Sequence, residues 1–147
     1  MVNDKDADFY DISLKPLSEN RVRELPVLNL AYIGDTVYDL YIRRCLVKNN
    51  MGRVEELHAL ASGIVNARSQ AEVAKLLQNK FTEDEAGVFR RGRNAKSAPT
   101  KNMSREDYSL ATGLEAVIGY LYLTGAGERL NELFRVIILH FIGDKKS

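Results

Sequence analysis

Apolar positions along this chain recur at helical rather than strand spacing. Between Val27 and Cys45 they fall at Val27, Leu30, Ala31, Val37, Tyr38, Tyr41 and Cys45, which marks one stripe of a helix. Pro26 suits the opening of that helix, which is predicted to run to about Asn49, with Met51-Gly52 as its break. Residues 53–79 are rich in Ala, Leu, Glu and Gln and predict one or two further helices. Thr82 with Glu85 forms a capping box for a short helix ending near Arg91. The stretch GRNAKSAPTKNM, 92–103, carries Gly, Asn, Ser and Pro and reads as loop. Ser104 with Asp107 predicts the cap of an apolar helix that stops at Thr124-Gly125, and a last helix follows from about Gly127 to Phe141. No strand alternation, internal repeat or low-complexity linker interrupts this order. The expected fold class is all-α, with a polar leader over 1–24, a helical domain over 25–142 and a charged tail over 143–147.

Two acids break the pattern. From Leu25 to Tyr38 the only charged residue is Asp35, on the edge of the apolar stripe. A carboxylate there must be paired, bound to a cation or pushed toward neutrality, because an unpaired buried charge is costly. Arg43 and Arg44 are candidate partners for a purely structural pair. In YSLATGLEAVIGYLYLTGAG, 108–127, the only charged residue is Glu115. Each acid lies near a helix glycine, Gly34 and Gly119, and a glycine inside a helix costs about 1 kcal/mol relative to alanine. Close packing of helices or close approach of a ligand would explain both. Facing each other, the two acids would offer oxygens to a hard divalent cation, Mg²⁺ or Mn²⁺ rather than zinc. His58 and His140 are isolated and read as structural.

Composition narrows the class further. The chain has 147 residues, 45% hydrophobic and 28% charged, and fits one domain with a real core. Its single cysteine, Cys45, excludes an internal disulfide and fits a cytoplasmic protein. No apolar run is long enough to span a membrane, and the acidic start MVNDKDADFYD is unlike a signal peptide. Asp4, Asp6 and Asp8 lack the glycine and final glutamate of a calcium loop. The formal net charge of +1 is uninformative, but its distribution is not. From Ala86 to Arg105 there is no acid, while Arg90, Arg91, Arg93, Lys96, Lys101 and Arg105 are basic. By composition alone this is either a solvated loop or a phosphate-binding one. Beside a metal-compatible acid pair it becomes what a metal-dependent nuclease requires.

AYIGDTVYDLYIR and TGLEAVIGYLYL, with RGRNAKS between them, resemble the two acidic helical motifs of the ribonuclease III catalytic domain, in the short Mini branch of that family. The resemblance covers about residues 25–140. It implies a helical bundle forming a homodimer that hydrolyses double-stranded RNA with Mg²⁺ (Mn²⁺ as substitute), leaving 5′-phosphate and 3′-hydroxyl ends. By position Asp35 and Glu115 match family acids and would be catalytic and metal-binding. The family glutamate seven before Asp35 is Leu28 here, and the aspartate three before Glu115 is Thr112, which would act through a water. No C-terminal double-stranded-RNA-binding domain follows, so Arg91, Arg93, Asn94, Lys96, Ser97 and Lys101 are expected to hold the RNA. Precursor ribosomal RNA of the large subunit (23S) is the implied substrate, with a ribosomal protein as helper. A catalytically silent RNA-binding or ribosome-assembly scaffold is the alternative.

Overall fold

A computed structural model describes residues 4–95 and 103–143. Lys96, Ser97 and Lys101 therefore lie outside the described residues. Among the described residues every regular element is helical: α1 (Asp4–Phe9), α2 (Glu19–Arg23), α3 (Val27–Lys48), α4 (Val54–Val65), α5 (Ala67–Leu77), α6 (Glu83–Asn94), α7 (Arg105–Leu123) and α8 (Gly127–Ile142). A single 3-10 turn, Gln78–Lys80, extends α5. No described helix is long and apolar enough to cross a membrane.

Local chemistry sets the helix ends. Thr82 Oγ1 accepts from the Glu85 amide while Glu85 accepts from the Thr82 amide, the reciprocal box expected from sequence. Ser104 caps α7 by accepting from the Asp107 amide at 3.0 Å. Asn66, extended between α4 and α5, accepts from the Ser69 amide at 2.9 Å and splits residues 54–77 into two helices.

Helix α7 is the axis of the fold: α3, α5 and α6 lie against it, and almost all of its residues from Leu110 to Leu121 are buried. Two pairs of glycines make that packing close. A methyl group at Gly34 would run into the Glu115 carbonyl oxygen, and one at Gly119 into the Leu30 carbonyl oxygen. On the other flank, a methyl at Gly92 would meet Gly113 Cα and Ala116 Cβ at 3.0 Å. These glycines let α3 and α6 approach the α7 backbone where any side chain would hold them off.

Two sequence expectations are corrected here. Gly92, Arg93 and Asn94 were expected in a loop, but they form the last turn of α6, because Gly92 is a packing residue against α7 rather than a turn residue. The fold also begins earlier than a leader over 1–24 implies. Val22 is fully buried, the Leu17 amide donates to the Leu123 carbonyl at 2.8 Å, and Pro16 rests on Gly125.

One buried ion pair ties α6 to α8. Glu85, nearly inaccessible, accepts from Arg129 Nε and Nη2 at 3.0 and 2.9 Å, while Nη2 also donates to the Lys80 carbonyl at 2.7 Å. Arg129→Met would leave that carboxylate buried without its cation. The expected loss is on the order of 3 kcal/mol, read from the urea midpoint, with Glu132→Gln as a near-neutral control because Glu132 stays exposed.

Candidate active site

Gly34 rests on the Glu115 carbonyl, so the next residue, Asp35, is delivered to the Glu115 side chain. The two carboxyl groups lie against each other, close enough for Asp35 to raise the Glu115 carboxyl. Their environments differ. Asp35, on the edge of the apolar stripe, is exposed; Glu115 is the half-buried member. Burial, then the closeness of Asp35 and its charge, push the Glu115 carboxyl up to about 9, while the Gln70 amide acts in the opposite direction. Among the described residues no ion pair involves either acid, and Arg43, a candidate partner from sequence, binds Asp39 at 2.7 Å instead.

This shift has a consequence for stability. The folded chain keeps a proton on Glu115 that the unfolded chain loses near its ordinary value of 4.5. Stability is therefore unimpaired below about pH 4.5 and falls as pH rises from there through about 9. Without divalent cations, Glu115→Gln is expected to melt higher than the wild type at pH 8 by several degrees and to lose that advantage at pH 4.5. Thermal melts across that range check it.

The other sequence candidates are placed as follows. Thr112 is buried one turn before Glu115, and its hydroxyl donates to the Tyr108 carbonyl at 2.8 Å, leaving oxygen lone pairs free. Arg93 and Asn94 are exposed in the last turn of α6, whose Gly92 packs beside Thr112 and Ala116. Arg91 is exposed too, but lines a small cleft with Arg23, Asp84 and Tyr120 rather than joining the acids. Tyr38 and Tyr120 are core residues, whereas Tyr32 is 83% exposed. His58 is exposed, and His140 Nε2 lies 3.4 Å from Glu72.

Gln70 is the site residue that the sequence reading missed. It projects from α5, is 3% exposed and faces Glu115, yet its Nε2 completes no hydrogen bond among the described residues. The signal was present: Gln70 shares a helical stripe with Ala74 and Leu77, both fully buried. An uncharged amide draws less notice than a carboxylate there.

The donor set suits a hard cation. Two touching carboxylates, one holding a proton that a cation would displace, match the oxygen preference of Mg²⁺, which commonly takes one or two carboxylates and keeps several waters. No larger cluster of three His, Cys, Asp or Glu occurs among the described residues.

A helical domain with two acids facing each other across a glycine-mediated helix crossing is compatible with cation-assisted phosphodiester chemistry. The model of the Ribonuclease III domain matches residues 28–126, and the chain belongs to that family of endoribonucleases. The particular branch is Mini-ribonuclease 3. The Mini-ribonuclease 3 of Clostridium tetani is 42% identical over 119 residues, covering 80% of this chain and 79% of that one. Those of Staphylococcus aureus and Synechocystis sp. are 40% and 37% identical, covering 82% and 91% of this chain and 92% of each relative. A crystal structure of a protein from Fusobacterium nucleatum superposes with a TM-score of 0.75 at 25% identity, over 83% of this chain and 98% of that one.

Proposed function

We propose that this chain is a Mg²⁺-dependent endoribonuclease of double-stranded RNA in which Asp35 and Glu115 hold the cation. The observation that carries this reading is the contact between those two carboxylates from separate helices. When bound, the cation supplies Lewis acidity that makes water nucleophilic at neutral pH and offsets charge on the attacked phosphate. Asp35, exposed, presents oxygen toward solvent and substrate. Glu115, half-buried, surrenders its proton as the site loads. Thr112 contributes through a water held on its free lone pairs. Arg91, Arg93 and Asn94 at the end of α6, with Lys96, Ser97 and Lys101 of the following segment, hold the backbone of an A-form duplex, which is recognised by shape and 2′-hydroxyls.

A second copy of the chain completes the enzyme in this reading. Leu28 and Tyr32 lie two turns and one turn before Asp35, respectively, on the outward stripe of α3, and both are exposed. Such an apolar stripe beside the site suits a two-fold partner, and two-fold symmetry lets paired sites face the two strands of a duplex. The natural substrate is the precursor of large-subunit (23S) ribosomal RNA in the cytoplasm, presented with a ribosomal protein helper. Mn²⁺ replaces Mg²⁺.

The test is to incubate a long RNA duplex with Mg²⁺, Mn²⁺ or a chelator and to map the ends produced. Cation-dependent cuts bearing 5′-phosphate and 3′-hydroxyl are expected. Duplex binding without cutting in either cation, on both model duplex and ribosomal precursor, would instead make the chain a silent scaffold.

A further inference from the structure

Glu115 lies between two polar side chains, Asp35 from α3 and Gln70 from α5. Asp35 is one of the proposed ligands. Gln70 has no role in the chemistry described above, yet its position is the more demanding of the two. It sits on the inward stripe of α5 among Ala71, Val73, Ala74 and Leu77, all buried, and its Nε2 lacks a hydrogen-bond partner among the described residues. A buried donor left unmatched is expensive, and an apolar residue of the same volume would fill this space at less cost. The acceptor that Gln70 faces is the Glu115 carboxylate.

We propose that Gln70 is a positioning residue for Glu115: its amide donor fixes the carboxylate in the orientation that faces Asp35 and so sets how tightly the pair takes a divalent cation. This rests on the reading of Asp35 and Glu115 as the cation site. A carboxylate has two oxygens, and a donor that engages one of them when the cation is bound leaves the other aimed at the ion. Such outer partners commonly govern metal affinity by about 10- to 100-fold. Gln70 acts through Glu115 and touches neither phosphate nor cation.

Gln70→Met keeps the volume and removes the donor. Mn²⁺ titration followed by electron paramagnetic resonance should show affinity reduced by about 10-fold or more. Cation-free thermal stability should be unchanged or higher, because Nε2 completes no hydrogen bond in the cation-free fold and an apolar side chain fills the same space. In cleavage, the Mg²⁺ midpoint should rise while the rate at saturating Mg²⁺ stays near that of the wild type. Gln70→Leu serves as the second variant and is read in the same way. Unchanged Mn²⁺ affinity in either folded variant, or loss of fold in both, would make Gln70 a structural filler and overturn the proposal. Glu115→Gln separates the two levels. Wild-type binding lost in Glu115→Gln but untouched in Gln70→Met sinks the Gln70 proposal alone. Wild-type binding that Glu115→Gln leaves intact sinks the underlying site and this proposal with it.

Discussion

Asp35→Asn and Glu115→Gln are each expected to slow cleavage of an RNA duplex by about 1,000-fold, equivalent to about 4 kcal/mol of barrier. Each exchange keeps the shape of the side chain and removes the charge that a hard cation requires. Duplex binding should survive in both, because the contacts proposed for RNA lie on α6 and the segment after it. The two variants should differ in one respect. Asp35 is exposed, so Asp35→Asn should leave stability almost unchanged, whereas Glu115→Gln relieves a carboxyl that burial already holds toward neutrality. Single-turnover cleavage and duplex binding at fixed salt read both effects. Cleavage within about tenfold of wild type in either variant would remove that acid from the chemistry.

The second large effect is expected at the helix crossing. Gly34→Ala places a methyl group against the Glu115 carbonyl oxygen and 2.9 Å from the Gly119 amide nitrogen, both backbone atoms that cannot rotate away. Helix α3 must then move off α7. Alanine gains about 1 kcal/mol of helix propensity, but overpacking of this kind costs about 3 kcal/mol or more. The variant should therefore unfold at a clearly lower urea concentration. Any molecules that remain folded should cleave poorly, because separating the helices separates Asp35 from Glu115. A midpoint equal to the wild type would mean that the helices are not in backbone contact. Gly63→Ala, where a methyl meets nothing nearby, is the matching control.

That crossing also explains what the sequence made legible. Asp35 and Glu115 stood out as lone charges in apolar segments, and the nearby glycines asked for close packing; the structure joins the two facts, since Gly34 rests on Glu115 itself. The helix starts at Thr82 and Ser104 were readable because capping is local chemistry, complete within four residues. What failed was decided by distant partners. Gly92 looked like a loop residue until Gly113 and Ala116 came to lie against it. Val22, in a polar stretch, is buried by a core that its neighbours in sequence do not reveal. Which of the two acids is the more buried was not legible: Asp35 is exposed and Glu115 half-buried. Periodicity places a residue on the edge of a stripe, but which edge faces solvent depends on where the neighbouring helices stop. Gln70 was overlooked for a related reason: its helix stripe was visible, but its significance depends on Glu115, some distance along the chain.

The central claim is that Asp35 and Glu115 together form one divalent-cation site. Direct titration of Mn²⁺ into the RNA-free protein tests it without depending on any substrate. The account predicts a site on the wild type that Asp35→Asn and Glu115→Gln both lose, with a proton released on loading at neutral pH. Mn²⁺ binding that persists unchanged in both variants would place the cation elsewhere and contradict the claim.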